Sequence, residues 1–248
     1  VTDKGKDLEK MKEIFKQFKE IGIIPVVVME DAQYAEPLAD ILCDNGLPCA
    51  EVTFRTAVAA EVISRMVKHR PELLVGAGTV LTTQEVDLAI EAGAKFIVSP
   101  GLNPEVVRYC QAREIPVAPG TQTPSEMEQA IGLGLDFVKF FPAEPAGGLK
   151  MIKAVAAPYG QLVFMPTGGL TPENVRAYLA DEKILACGGS WMVKQQMMAE
   201  GDWEGIARLV REAAAMVREI RGCGKQPVNS LYRKDKSDYL NKRKLKIS

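Results

Sequence analysis

The chain has 248 residues, of which 47% are apolar and 25% charged, with a formal net charge of −1 and a single histidine. A chain of this size can bury roughly three-quarters of its unfolded surface, no apolar run reaches the ~18 residues of a membrane span, and the charged start VTDKGKDLEKMKEIFKQFKE is unlike a signal peptide. The five cysteines, at 43, 49, 110, 187 and 223, make no CxxC spacing and read as reduced thiols of a cytoplasmic protein.

In chain order, residues 4–21 carry the apolar period of an amphipathic helix. Residues 23–29, IIPVVVM, form a continuous apolar run, the mark of a parallel strand buried on both faces, and a helical pattern follows over 34–44. Strand-like runs recur at 49–54, 73–77, 95–99, 116–118, 136–140, 162–165 and 184–186, eight in all with the first, separated by helix-period segments such as 57–67. Capping signals mark several helix starts: Thr82 ahead of Gln84-Glu85, and Asn103, Thr123 and Thr171 each ahead of proline with Glu in the first turn. A last amphipathic helix covers 203–221. This alternation predicts an α/β protein, a (β/α)8 TIM barrel with an extra N-terminal helix, in a single domain over residues 1–222.

Residues 223–248 stand apart. They hold eight Lys or Arg against two Asp, a net of +6, so residues 1–222 carry −7. Without a sustained apolar period the segment reads as a disordered or vector-derived basic tail, the alternative being a site for an anionic partner. The acidic body offers no basic patch for nucleic acid. His69 lies in the polar helix end Val67-Lys68-His69-Arg70-Pro71 and reads as a surface residue. A lone histidine so placed excludes Ser-His-Asp and Cys-His nucleophiles and HExxH zinc chemistry. Proton transfer in an active site would then fall to Glu, Asp, Lys, Tyr or water.

In a barrel of this type, chemistry gathers at the C-terminal ends of the strands. Alternation along CAEVTFRT puts Ala50, Val52 and Phe54 toward the helices and turns Glu51, Thr53 and Arg55 inward. In DFVKFFP the same parity turns Lys139 inward between Phe137 and Phe141. A buried charge is costly unless paired or functional. Desolvation disfavours an ammonium relative to a free amine, and a free amine can attack a carbonyl. The second and sixth strands of an eight-strand ring face each other, so Glu51 and Lys139 are expected to share one space. They would serve there as a structural ion pair, or as a Schiff-base lysine with its acid–base carboxylate.

Glycine pairs follow the last two strand-like runs, in Thr167-Gly168-Gly169 and Gly188-Gly189-Ser190. In TIM barrels these loops commonly bind phosphate through backbone N–H groups. Arg55 offers a bidentate anion site, and Thr79 a hydroxyl after Gly76-Ala77-Gly78. Leucine in place of glycine at position 81 removes the dinucleotide fingerprint. No carboxylate cluster has metal-ligand spacing, and no metal or other cofactor is expected. Trp191, Met192 and the Met197-Met198 pair read as packing residues.

The stretches EVTFRT (51–56), VGAGTVL (75–81), FIVSPGLN (96–103), VKFFPAE (138–144), PTGG (166–169) and GGSWM (188–192) occur in this order. Together they make the sequence resemble, over about residues 10–220, the bacterial 2-keto-3-deoxy-6-phosphogluconate (KDPG) and 4-hydroxy-2-oxoglutarate aldolase family. The resemblance implies a cytoplasmic class I aldolase on a (β/α)8 barrel, a homotrimer without a cofactor. Such an enzyme cleaves KDPG to pyruvate and glyceraldehyde 3-phosphate, and often 4-hydroxy-2-oxoglutarate to pyruvate and glyoxylate. By the same resemblance Lys139 takes the place of the Schiff-base lysine and Glu51 that of the acid–base glutamate. Arg55 and Thr79 would hold the carboxylate end of the pyruvoyl group, Pro100, Phe141 and Thr167 would contact substrate, and Gly168, Gly169, Gly189 and Ser190 would bind phosphate. Arginine at position 55 favours KDPG over the related phosphogalactonate aldolases. Two features depart from the family: Val28-Met29-Glu30-Asp31 stands where many relatives carry Lys or Arg, and 223–248 extends past the usual family end. The competing readings are oxaloacetate decarboxylation or phosphogalactonate cleavage through the same imine, and a catalytically silent phosphate-binding barrel.

Overall fold

The computed structural model describes residues 13–222. The basic segment 223–248 and the first part of the expected N-terminal helix, residues 4–12, lie outside the described residues. In chain order the elements are α1 (13–21), β1 (Ile23–Val27), α2 (Ala35–Asp44), β2 (Cys49–Thr53), α3 (Ala59–His69), β3 (Leu74–Gly78), α4 (Thr83–Ala92), β4 (Ile97–Val98) and α5 (Pro104–Ala112). Then come β5 (Val117–Ala118), β6 (Gly120–Thr121), α6 (Pro124–Gly132), β7 (Phe137–Phe140), α7 (Gly148–Ala156), β8 (Val163–Pro166), α8 (Val175–Leu179), β9 (Cys187–Gly189), α9 (Gln195–Ala199) and α10 (Trp203–Arg221).

Local chemistry explains several helix starts. Thr82 and Thr123 form reciprocal capping boxes with Glu85 and Glu126, and Asn103 caps α5 ahead of Pro104. Thr171 supplies the expected capping oxygen, but the turn that it caps is not continued as regular helix. It closes a turn with Asn174, whose Oδ1 accepts the Thr171 N–H at 2.9 Å while Thr171 Oγ1 accepts the Asn174 N–H at 3.4 Å. The Thr171 carbonyl also accepts the Val175 N–H at 3.0 Å, which closes one helical turn, and α8 is continuous only from Val175. His69 ends α3 at the surface, with Nε2 3.0 Å from Asp40 Oδ1.

Every strand pair is parallel. Six strands hydrogen-bond in the order β5-β4-β3-β2-β1-β9 and three in the order β6-β7-β8. Pro119 alone separates β5 from β6, a residue with no N–H to give to a ladder. Near β8 and β9 the chain makes two further parallel bridges, Phe164↔Ile184 and Thr167↔Gly188. The outcome is a curled parallel sheet with helices on its convex side. The run expected at 116–118 thus becomes two short strands flanking Pro119. The last strand lies three residues beyond its expected place, because Cys187–Gly189 is the segment that pairs with Ile23–Pro25. Glycine carries little strand signal of its own; here the neighbouring ladder decides.

Strand parity sorts the core into two layers. Ala50, Val52, Ala77, Ile97 and Val138 pack outward with the helices, and Ile24, Cys49, Phe96, Phe137 and Met165 line the concave side. Helix α1 floors that concave side. Its Phe18, 1% exposed, meets Phe96 edge-on at 4.8 Å between ring centroids and Phe137 at 5.9 Å. Gly76 makes room for this floor, since a Cβ there would strike the Phe96 ring. No helix among the described residues is long and apolar enough to cross a membrane.

Candidate active site

Glu51 sits at the centre of β2, paired with Val26 on one side and Gly76 on the other. Lys139 lies in β7 between Gly120 and Met165. Both side chains point to the concave side, above the aromatic floor, as the alternation of Ala50 and Val52 outward requires. Glu51 has no exposed surface and Lys139 has 5%. The Lys139 Nζ donates to Glu51 Oε1 at 3.3 Å and stands 5.2 Å from the centre of the Phe141 ring. The second carboxylate oxygen, Glu51 Oε2, is buried without a hydrogen-bond partner among the described residues. Leaving such an oxygen unpaired is costly.

Gly78, the last residue of β3, makes this arrangement possible. A Cβ there would collide with Glu51 Oε1 and lie 2.6 Å from its Cγ and 2.9 Å from its Cδ. The sequence reading weighed this glycine only for a nucleotide fingerprint and missed its role as space for a carboxylate. Thr53, inward as expected, donates from Oγ1 to the Val27 carbonyl at 3.0 Å and so ties β2 to β1. Thr167, 7% exposed, carries a second buried oxygen without a partner among the described residues, packed where Gly188 has no side chain.

The remaining expected residues lie around the strand ends. Thr79 follows Gly78 with φ +58° and is half-buried; a β-branched residue in the left-handed region is strained, and such strain concentrates at functional sites. Pro100 is half-buried and its carbonyl packs against Gly120, a contact that no side chain at 120 would allow. Gly168 and Gly169 take φ of +102° and +78°, Gly189 is buried against the Trp191 ring, and Ser190 is exposed. Phe141, expected inside, is 36% exposed, with its ring over the amine at the rim. The chain has left β2 two residues before Arg55, so strand parity no longer governs that side chain. Arg55 is exposed and makes no ion pair among the described residues.

Two thiols near the sheet are poor nucleophiles. Burial, reinforced by the charge of Glu51, pushes the Cys49 thiol well above its ordinary range, and burial pushes that of Cys187 up to about 12. Sequence reasoning also passed over Tyr178, 2% exposed, whose hydroxyl donates to Glu144 Oε1. Glu144 lies inside the VKFFPAE stretch, but no periodicity links it to a tyrosine on another helix.

Residues 14–209 match the family model described as KDPG and KHG aldolase, and the chain belongs to that family of aldolases. It is 46% identical over 207 residues to the 2-dehydro-3-deoxy-phosphogluconate aldolase of Haemophilus influenzae, a match spanning 84% of this chain and 98% of that protein. Among solved structures it is similar to the KDPG aldolase of Zymomonas mobilis ZM4 with 3-phosphoglycerate, at 40% identity and a TM-score of 0.78 over 83% of this chain and 97% of that one. It is also similar to the KDPG aldolase of Legionella pneumophila with pyruvate captured as a covalent carbinolamine, at 36% identity and a TM-score of 0.78 over 80% of this chain and 97% of that one.

Proposed function

We propose that this aldolase cleaves KDPG to pyruvate and glyceraldehyde 3-phosphate, and 4-hydroxy-2-oxoglutarate to pyruvate and glyoxylate, through an imine on Lys139. The observation that carries the reading is the buried amine and carboxylate 3.3 Å apart. Passing a proton from Lys139 to Glu51 across that gap frees the amine and loads the acid in one step. The amine attacks the substrate C2 carbonyl, and Glu51 returns the proton to the carbinolamine hydroxyl, which leaves as water. The cationic imine then accepts the electron pair of the C3–C4 bond as Glu51 takes the C4 hydroxyl proton. The aldehyde departs, Glu51 passes that proton to C3 of the enamine, and water adds to the imine carbon, releasing pyruvate and restoring the amine.

In this reading Arg55 and Thr79 hold the substrate carboxylate, and Pro100, Phe141 and Thr167 contact the carbon chain. Gly168, Gly169, Gly189 and Ser190 hold the phosphate. That a Zymomonas relative is seen with 3-phosphoglycerate and a Legionella relative with pyruvate as a carbinolamine supports a phosphorylated substrate and an imine route. The same reading counts β5 and β6 as one strand, so that the two sheets close into an eight-strand ring within a single domain. The spacing of Pro119 and the bridges near β8 and β9 support closure. A homotrimer acting in the cytoplasm, without a cofactor, completes the proposal.

The test is borohydride reduction with pyruvate, read by peptide mass spectrometry. A reduced pyruvyl adduct is expected on Lys139 and none on the Lys139→Ala protein. Wild-type enzyme that gives no adduct would remove the imine mechanism and leave a silent phosphate-binding barrel. Turnover of KDPG, 4-hydroxy-2-oxoglutarate and oxaloacetate, measured side by side, ranks the substrates.

A further inference from the structure

The turn after β8 is held by contacts at its two ends, from Glu144 and from Asn174. Peptide groups are planar and trans, so each C=O points opposite to the N–H it is bonded with, and holding one aims the other. The Gly168 carbonyl accepts the Glu144 N–H at 3.0 Å, and the Gly169 carbonyl accepts Asn174 Nδ2 at 3.1 Å. The N–H groups on those two peptides belong to Gly169 and Leu170. Neither has a backbone acceptor among the described residues. Their directions are therefore set by whatever holds Glu144 and Asn174.

Both are held firmly. Asn174 is locked by its two bonds with Thr171, at 2.9 and 3.4 Å. Glu144 follows Ala143, whose N–H donates to the Thr167 carbonyl at 2.8 Å. Its carboxylate accepts the hydroxyl of Tyr178, a side chain sunk into the core. Burial, with the Glu144 carboxylate beside it, pushes the Tyr178 phenol up, so the hydroxyl keeps its proton and donates. Glycine spaces the assembly. A Cβ on Gly169 would lie 2.7 Å from Glu144 Cβ, and one on Gly148 would lie 2.9 Å from Glu144 Oε1 and 3.0 Å from the Tyr178 hydroxyl oxygen.

We propose that Asn174 and the Tyr178–Glu144 pair are positioning residues that aim the Gly169 and Leu170 N–H groups at the substrate phosphate, and so set the preference for phosphorylated over unphosphorylated 2-keto acids. The proposal rests on the reading above that the loop after β8 binds phosphate. None of the three side chains is assigned a contact with the reacting carbons. Their influence should therefore appear in substrate discrimination rather than in imine formation.

Tyr178→Phe removes one hydroxyl and keeps the ring in the core, and Asn174→Ala removes the grip on the Gly169 carbonyl. For each full-length variant, kcat/KM is measured for KDPG and for 4-hydroxy-2-oxoglutarate, and Kd for 3-phosphoglycerate by calorimetry. Loss of one orienting hydrogen bond is expected to lower kcat/KM for KDPG about tenfold. The loss should exceed that for 4-hydroxy-2-oxoglutarate by about fivefold or more, with a matching rise in Kd. Glu144→Gln, which still accepts from Tyr178, should retain more discrimination than Glu144→Ala. Equal losses on both substrates, or no loss on either, would overturn the positioning role. If Tyr178→Phe fails to fold, Asn174→Ala in the turn decides alone. Wild-type enzyme that does not bind 3-phosphoglycerate would overturn the phosphate reading itself. Tight wild-type binding that the variants share would overturn only the positioning role.

Discussion

Replacing Gly78 with alanine would disable the site without touching either reacting group. The new methyl would overlap Glu51 Oε1 and stand 2.6 Å from its Cγ. Unstrained carbon contacts need about 3.5–4.0 Å, so the Glu51 side chain must withdraw by about 1 Å. Its Oε1 starts only 3.3 Å from the Lys139 Nζ, and a shift of that size carries the pair past hydrogen-bond range. A misplacement of about 1 Å costs roughly a hundredfold in rate, equivalent to about 2.7 kcal/mol of barrier. Overpacking against a fully buried side chain should also cost about 1–3 kcal/mol of stability. The assay combines kcat for KDPG with the rate of borohydride-trapped pyruvate adduct on Lys139, both on protein shown by urea unfolding to be folded. Slow adduct formation with a roughly hundredfold lower kcat is expected. A folded Gly78→Ala enzyme that keeps kcat within about threefold would refute the argument that Glu51 must stand where it does.

Four further outcomes follow from the same geometry. Glu51→Gln keeps the shape of the side chain and loses its proton, so turnover should fall by roughly 10²-fold or more; a fully active variant would take Glu51 out of proton transfer. Arg55→Ala should raise KM about tenfold with little change in kcat, and unchanged kinetics would mean that the exposed guanidinium meets no substrate anion. Phe18→Ala opens a cavity under Phe96 and Phe137 and should cost about 3–5 kcal/mol in urea unfolding; a loss below about 1 kcal/mol would show that α1 does not floor the concave side. Arg70 bonds Asp40 at 2.8 Å, Asp44 at 3.0 Å and Glu72 at 2.7 Å. Its hydrogen bond holds the Glu72 carboxyl below its ordinary value. Burial pushes the Asp40 carboxyl up, but bonds from Arg70 and His69 outweigh it and leave it lowered too. Carboxylates lowered in the folded state contribute stability above the ordinary carboxylate range and lose it as pH falls through the lowered values. Arg70→Met should therefore cost about 1 kcal/mol at neutral pH, with the gap to wild type closing below about pH 4. A gap independent of pH would count against this ion-pair network.

The sequence alone determined whatever depends on local period and local caps. Continuous apolar runs separated by helix-period segments specified the α/β alternation. Two-residue parity turned Glu51 and Lys139 away from the helices, because Ala50, Val52 and Val138 needed apolar partners on the other side. Thr82, Asn103 and Thr123 announced their helices because a cap is satisfied within three residues. Only the tertiary structure decided matters settled between distant segments. The ladder with β1 placed the last strand at Cys187–Gly189 rather than on the more apolar run before it. Leaving β2 before Arg55 released that side chain from the parity that governed Glu51. Gly78 and the Tyr178–Glu144 bond were illegible for the same physical reason. A glycine that makes room for a carboxylate on the next strand, or a tyrosine that holds a loop from another helix, leaves no periodic trace; it acquires meaning only when folding brings its neighbour within a few ångströms.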